Sequence, residues 1–143
     1  MDGYPHIENP PESETDWFEA LIALARYLRT PQGCPWDREQ AAADFARYLK
    51  EEVEELVEAL KSGDNPHARE EFGDVFFTLL ATVAAAEEEG RFRIDDALRL
   101  VHEKMIRRHE HVFGDATAET AEDAVSVWEE AKRKERGSGA SDA

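Results

Sequence analysis

The sequence contains a single cysteine, Cys34, so no disulfide bond can form within the chain. Long apolar segments are also missing, because the longest stretch without a charged residue, 75–86, is too short to cross a bilayer as a helix. The first residues carry neither the basic nor the apolar region of a secretion signal. Together these absences predict a cytoplasmic protein.

Positive charge is scarce. The chain has 17 lysine and arginine residues against 33 acidic ones, which gives a formal net charge of -16. A chain this acidic is a poor match for a nucleic-acid backbone or an anionic membrane surface, so we expect neither as a partner. If its ligand is an anion, cations must offset the repulsion.

Strand-like alternation is not evident, and apolar residues recur with a helical period along almost the whole chain. Its 143 residues, 41% of them hydrophobic, suffice for one domain with a core. We therefore predict an all-α fold: a bundle of about five helices forming one domain over residues 16–136, with flexible segments at 1–15 and 137–143. Start and stop signals place the helices at 16–29 (N-cap Asp16), 38–62, 66–90 (N-cap Asn65), 95–113 and 120–136.

The second predicted helix has an acidic face. Glu51, Glu52 and Glu55 lie within about 100° of one another around its axis, and the apolar positions lie opposite them: Leu49, Val53, Leu56, Val57 and Leu60. For this helix alone, a solvent-exposed acidic surface is the simpler interpretation, because glutamate runs are common on exposed helix faces.

The third predicted helix places two carboxylates on a mostly apolar segment. Glu71 and Asp74 are three residues apart and share a face, so another helix should cover part of that face. A carboxylate in apolar surroundings is costly unless it is protonated, paired or bound to a metal. Antiparallel packing of the second and third helices across residues 63–65 would bring Glu52 and Glu55 within reach of this pair.

The resulting donor set consists of oxygen atoms only. Carboxylates without histidine or cysteine suit Mg²⁺ or Mn²⁺ better than Zn²⁺. A carboxylate-bridged di-iron bundle would need Glu-x-x-His pairs, and none of the five histidines follows a glutamate at that spacing. The sequence therefore predicts a site for a hard divalent cation.

The acidic residues also follow a known order. The pattern E-E-x-x-E at residues 51–55, followed after fifteen residues by E-x-x-D at 71–74, resembles the signature of the MazG-type all-α nucleoside triphosphate pyrophosphohydrolases. Four flanking blocks resemble that family in the same order: GCPWDREQ at 33–40, EEGRF at 88–92, RRHEHVFGD at 107–115 and VWEEAKRKE at 127–135. Glu110 departs from the pattern, since many members carry proline there. The resemblance covers about residues 17–136.

The resemblance implies hydrolysis of a nucleoside triphosphate between its α and β phosphates, giving the monophosphate and pyrophosphate. It implies that two or more Mg²⁺ ions bridge the protein and the phosphates, and that the metal ligands are Glu52, Glu55, Glu71 and Asp74. Glu51, on the adjoining face, is the candidate for orienting or deprotonating the attacking water, or alternatively for binding a further metal ion.

Positively charged side chains should contact the pyrophosphate leaving group. With the family match we favour phosphate contacts for Lys104 and Arg108, which stand at i and i+4 on the fourth predicted helix. The alternative pairs them with Glu103 or Glu110 on the surface. One turn apart on the fifth helix, Trp128 and Lys132 could hold a base and a phosphate, but Trp128 is equally well read as an ordinary core or interface aromatic.

Two classes of function remain open. One is the Mg²⁺-dependent pyrophosphohydrolase, and the other is a noncatalytic acidic helical module that regulates or binds a partner. Glu71 and Asp74 distinguish the two classes. Carboxylates that serve only solubility gain nothing from partial burial, so their place on a mostly apolar helix favours the enzyme. The family packs such helices between subunits, so a homodimer, or a tetramer made of two dimers, is expected to complete the core. The base and sugar preference cannot be read from the sequence.

Overall fold

The computed structural model describes residues 3–137, and every regular element in that range is helical. A single turn of 3-10 helix, Pro5–Ile7, precedes seven α-helices: α1 (Glu14–Tyr27), α2 (Pro35–Glu39), α3 (Ala42–Ser62), α4 (Asn65–Glu88), α5 (Ile94–Arg108), α6 (Glu110–Phe113) and α7 (Ala121–Gly137). The predicted all-α class is confirmed. Most of the predicted C-terminal tail lies outside the described residues.

The chain divides into two compact units at the junction between Arg93 and Ile94. The first contains α1 to α4, and the second contains α5 to α7. Within the first unit α4 packs against both α3 and α1, and within the second α5, α6 and α7 contact one another.

The core of the first unit depends on small side chains. Residues 80–86 of α4 are buried at every position except Thr82 and are rich in alanine, so neighbouring helices can approach this segment closely. Three of these alanines form a buried cluster with two residues of the first turn of α3: Ala42, Phe45, Ala81, Ala85 and Ala86. Ala85, at 0% exposure, is the most deeply buried of these residues.

Two helices begin earlier than the sequence predicts. The hydroxyl oxygen of Ser13 accepts a hydrogen bond from the backbone N–H of Asp16 at 3.1 Å, so Ser13 is the N-cap of α1 and Asp16 already lies inside the helix. A carboxylate oxygen of Asp64 likewise accepts from the backbone N–H of His67 at 3.1 Å, and Asp64 rather than Asn65 caps α4. In both cases a side-chain oxygen one to three residues upstream of the predicted cap satisfies an N–H group of the first helical turn.

The predicted second helix is broken into α2 and α3. Gln40 adopts an extended conformation with ψ at 136°, which exposes backbone carbonyls that a continuous helix would use internally. Arg29, whose side chain is only 8% exposed, donates to the carbonyl oxygens of Asp37 at 2.6 Å and Gln40 at 3.0 Å. This buried guanidinium stabilises the break. The predicted fourth helix is divided in the same way at His109, where φ is -112° and ψ is 49°.

Helices α3 and α4 form an antiparallel hairpin with only Gly63 and Asp64 between them. Gly63 has a φ of 77°, a left-handed conformation that glycine adopts without the penalty a β-carbon brings. Its N–H donates to the carbonyl of Leu60 at 3.3 Å and closes the end of α3. The glycine therefore allows the sharp reversal that places the two acidic helices side by side.

Tyr4 connects the residues before α1 to that helix. Its hydroxyl donates to the carbonyl of Ala20 at 2.9 Å, and its ring lies 6.3 Å from that of Tyr27. The flexibility expected for residues 1–15 stays a prediction. Among residues 3–137, no helix has both the length and the apolar character needed to span a bilayer.

Candidate metal centre

Three carboxylates converge where α3 and α4 pack together. Glu52, Glu55 and Glu71 each offer an oxygen atom, and these atoms all lie within 4.8 Å of one another. Glu71 is buried at 8% exposure, Glu52 is half-buried and Glu55 is exposed. Two carboxylates one turn apart on α3 thus converge with a third from α4, which is the proximity that the sequence predicts for these residues.

Two oxygens of this cluster are buried without a hydrogen-bond partner among the described residues: Oε2 of Glu52 and Oε2 of Glu71. A buried carboxylate oxygen that has lost water and gained no donor costs free energy. A cation between the two helices would remove that cost. Because the donors are all carboxylate oxygens, the set fits Mg²⁺ or Mn²⁺.

The electrostatic environment of Glu52 is unfavourable for a negative charge. Burial raises the pKa of Glu52 above its ordinary value, and the negative charges of Glu55, Asp74 and Glu71 raise the pKa further. The folded chain alone therefore disfavours the charged form of this carboxylate. A divalent ion would reverse that preference by supplying positive charge at the point of repulsion.

Asp74 and Glu51 occupy more open positions. Asp74 lies outside the group of three converging carboxylates, although it is close enough for its charge to act on Glu52. Its expected partial burial is wrong for the single chain, where Asp74 is exposed and Phe72 beside it is 61% exposed. Glu51 is exposed on α3. The roles assigned to Asp74 and Glu51 stay predictions.

The predicted phosphate-binding residues lie in the second unit. Lys104 and Arg108 are both half-buried on α5. Arg108 bonds to Glu135 of α7, with Nη2 at 2.7 Å from Oε1. Glu103, one of the acidic partners considered from the sequence, accepts a hydrogen bond from Arg99 at 3.4 Å.

Trp128 lies among polar and aromatic groups of the second unit. The guanidinium carbon of Arg108 is 5.1 Å from the centroid of its ring, and the His109 ring meets it edge-on at 5.5 Å. A cavity of about 420 Å³ is lined by His109, His111, Trp128 and Glu129, together with Ala124 and Val125. Trp128 and Lys132 are both half-buried on α7, and their predicted contacts with substrate stay predictions.

Two contacts of these residues were not predicted from the sequence. Glu135 lies 27 residues from Arg108, and no local pattern marks it among the charges at the end of α7. His67 places Nε2 at 3.2 Å from Oε1 of Glu71. The i, i+4 spacing of His67 and Glu71 was a visible signal for this second contact.

The fold is all-α, and its antiparallel helical hairpin gathers carboxylates into a partly buried cluster that could hold a metal ion. Residues 40–113 match the family model of the MazG nucleotide pyrophosphohydrolase domain. The match spans the three converging glutamates, Asp74, Lys104 and Arg108. The chain belongs to the MazG family.

Similar proteins support this assignment. The chain is 40% identical over 120 residues to the nucleoside triphosphate pyrophosphohydrolase/pyrophosphatase MazG of Thermotoga maritima, covering 84% of this chain and 46% of that protein. It is 39% identical over 119 residues to the nucleoside triphosphate pyrophosphohydrolase of Escherichia coli strain K12, covering 82% of this chain and 45% of that protein. The chain thus spans less than half the length of these curated relatives.

A solved structure supports the fold as well. The crystal structure of a MazG-related protein from Thermotoga maritima is 30% identical in sequence and superposes with a TM-score of 0.68. The similarity covers 80% of this chain and 98% of that one. The predicted resemblance to the MazG family is confirmed.

Proposed function

We propose that this chain hydrolyses nucleoside triphosphates between the α and β phosphates and releases the monophosphate and pyrophosphate. The observation that carries the proposal is a pair of buried oxygens, one on Glu52 and one on Glu71, that have no hydrogen-bond partner among residues 3–137. These atoms lie on the helical hairpin, within the residues that match the MazG domain. The activity named for the relatives is consistent with this chemistry.

The metal ligands in this proposal are Glu52, Glu55 and Glu71, with Asp74 as a fourth. We propose Mg²⁺ as the ion, with Mn²⁺ as a substitute, because the donors are hard oxygens. When bound, Mg²⁺ supplies positive charge that offsets the repulsion between the triphosphate and the acidic chain. The carboxylates of the hairpin fix where that charge is held.

The remaining assignments concern other side chains. We propose that Glu51 orients or deprotonates the attacking water, with binding of a further metal ion as its alternative role. Lys104 and Arg108 contact the phosphates that leave, and their charge stabilises the pyrophosphate as it separates. Trp128 and Lys132 contact the base and a phosphate. These roles derive from the family resemblance.

The noncatalytic alternative explains the buried cluster less well. A module whose carboxylates only keep the surface hydrated would expose them, whereas Glu71 is 8% exposed and carries an oxygen without a partner among residues 3–137. Burying such a group without a ligand is destabilising. The same observation therefore favours the metal-dependent enzyme.

We also propose that two copies of the chain associate. Both helices of the hairpin leave large apolar side chains exposed: Val53, Val57 and Leu60 on α3, and Phe72 and Leu79 on α4. Apolar surface of this kind is typical of contacts between proteins. A homodimer, or a tetramer of two dimers, would cover it. A cytoplasmic location stays our prediction, since nucleoside triphosphates are found there.

A product assay tests the activity. The chain is incubated with a panel of canonical deoxynucleotides, ribonucleotides and oxidised nucleotides in MgCl₂, and all phosphate-containing products are separated. We expect the monophosphate and pyrophosphate in equal amounts for the accepted substrates. The same assay with Glu52→Gln/Glu71→Gln controls for a contaminating hydrolase. Formation of diphosphate and orthophosphate, or equal turnover by the double variant, would overturn the proposal.

A further inference from the structure

Glu135 makes an unusual set of contacts for an acidic residue near the end of a charged helix. It is 7% exposed, and its carboxylate accepts hydrogen bonds from two consecutive arginines of α5. Nε of Arg107 lies 2.7 Å from Oε2. From Arg108, Nη2 lies 2.7 Å from Oε1 and Nε lies 3.3 Å from Oε2. The two-point contact with Arg108 fixes both the position and the plane of its guanidinium.

The guanidinium group of Arg108 also packs against the ring of Trp128. The side chain of Arg108 is 14% exposed, and its guanidinium carbon lies 5.1 Å from the centroid of Trp128. Glu135 on one side and Trp128 on the other therefore restrict the rotamers of Arg108. A long arginine side chain otherwise loses considerable conformational entropy when it binds a phosphate.

The guanidinium groups of Arg107 and Arg108 both face the single carboxylate of Glu135. A buried ion pair of this kind is weak evidence for a purely stabilising role, because desolvation offsets much of the attraction. Its geometric effect is more definite, since it holds a cation in one orientation.

We propose that Glu135 is a positioning residue for the pyrophosphohydrolase reaction, acting by holding Arg108 in the orientation in which it contacts a substrate phosphate. This inference rests on the proposed function. Glu135 itself touches no substrate in this proposal. Its role is to order Arg108 before the triphosphate binds. The contact with the phosphates is then strengthened equally in the bound triphosphate and as the pyrophosphate separates, so KM depends on it more than kcat does.

The test compares Glu135→Gln with Glu130→Gln, a control on the same helix whose exposed carboxylate pairs with Arg133. Glutamine preserves the size of Glu135 but weakens both arginine contacts. We expect Glu135→Gln to raise KM for the triphosphate about tenfold while kcat changes by less than about threefold, as lost pre-organisation of a binding group predicts. Glu130→Gln should match the wild type.

A double-mutant cycle separates positioning from stability. Arg108→Met is measured in the wild-type and Glu135→Gln backgrounds, and we expect Glu135→Gln to add nothing once Arg108 is gone. Additive effects on KM would overturn the inference. Glu135→Asp keeps the negative charge, so its KM should return most of the way to the wild-type value. If thermal melts show that Glu135→Gln folds poorly, Glu135→Asp is the variant on which the positioning role is tested.

The outcomes also distinguish the two proposals. A wild-type chain that releases pyrophosphate while Glu135→Gln keeps its KM overturns only the positioning role. A wild-type chain that neither binds nor hydrolyses any triphosphate overturns the proposed function, and the positioning role falls with it.

Discussion

Nε2 of His67 lies 3.2 Å from Oε1 of Glu71, one turn further along α4. The other oxygen of Glu71 is buried and lacks a hydrogen-bond partner within residues 3–137. The two oxygens of this carboxylate therefore have different surroundings: Oε1 lies against the imidazole, and Oε2 is buried without a donor from those residues. Hydrogen bonds of this kind orient a ligand before a metal ion arrives.

His67→Ala should weaken Mg²⁺ binding about tenfold, because residues that orient a metal ligand typically contribute 10- to 100-fold to affinity. The measurement is titration calorimetry with MgCl₂ on the chain without nucleotide. His102→Ala, on the exposed surface of α5, serves as the control and should bind like the wild type. Equal affinity in all three proteins would show that His67 does not support Glu71.

A Mg²⁺-specific gain in thermal stability is expected for the wild type. Binding to the folded state alone adds about 2.7 kcal/mol at 100 times the Kd for one site, which raises the melting temperature by several degrees. Melts are compared in EDTA, in MgCl₂ and in NaCl of matched ionic strength, because screening of the net charge of -16 also stabilises. Glu71→Gln should lose the Mg²⁺-specific part. An identical gain in NaCl would contradict the metal assignment.

Asp74→Asn tests whether an exposed carboxylate still serves the centre. The substitution keeps the shape and removes one negative charge, so turnover should fall at least about 100-fold while the helical circular dichroism is unchanged. Glu54→Gln, an exposed position on α3, is the matched control. Near wild-type turnover of Asp74→Asn at saturating Mg²⁺ would remove Asp74 from the ligand set.

Comparison of sequence and structure shows where local patterns were sufficient. The 3.6-residue period and the glycine at position 63 predicted the hairpin, and the i, i+3 spacing within each helix then predicted that Glu52, Glu55 and Glu71 meet. These features depend on neighbours along the chain. Asp74 shares that spacing, but the period alone does not specify what covers the face on which it lies.

Contacts between distant residues were not predictable. The break at Gln40 depends on Arg29, eleven residues upstream, whose side chain binds the exposed carbonyl groups. The ion pair that holds Arg108 depends on Glu135, 27 residues downstream. Neither partner stands out locally, since each lies among many other charged residues and only the folded chain determines which of them is buried.

Glu89 should make stability depend on pH in the acid range. The backbone N–H of Ala42, at the start of α3, donates to its carboxylate at 2.7 Å, and this bond lowers the pKa of Glu89, with a further contribution from Arg91. Because the folded pKa lies below the unfolded value of about 4.3, the stabilisation is present above that value and is lost as the pH falls through the folded pKa.

Glu89→Gln should therefore melt at a lower temperature than the wild type at neutral pH, and the two melting curves should converge in acid. Melts from about pH 7 to pH 3, across the unfolded pKa of glutamate, provide the measurement. Glu39→Gln, an exposed glutamate on α2, should leave the wild-type dependence unchanged. A constant gap between wild type and Glu89→Gln across this range would contradict the assignment.

The exposed apolar side chains of the hairpin should control association. Leu60 and Phe72 are each 61% exposed, and charging both in Leu60→Asp/Phe72→Asp would place unpaired carboxylates in a subunit interface. Sedimentation should show a dimer or tetramer for the wild type and a monomer for the double variant. Ile7→Asp, at a position that is 81% exposed outside the hairpin, should not dissociate the assembly. A monomeric wild type would refute the proposed association.

The two-residue connection between α3 and α4 has a consequence for folding kinetics. All three converging glutamates lie on one continuous hairpin of residues 42–88, so closing the loop between them costs little chain entropy. Contacts between segments this close in sequence form rapidly, because topology with low contact order speeds the search. We therefore expect the carboxylates to come together early in folding, when their mutual repulsion would raise the folding barrier. Mg²⁺ should then accelerate refolding more than it slows unfolding.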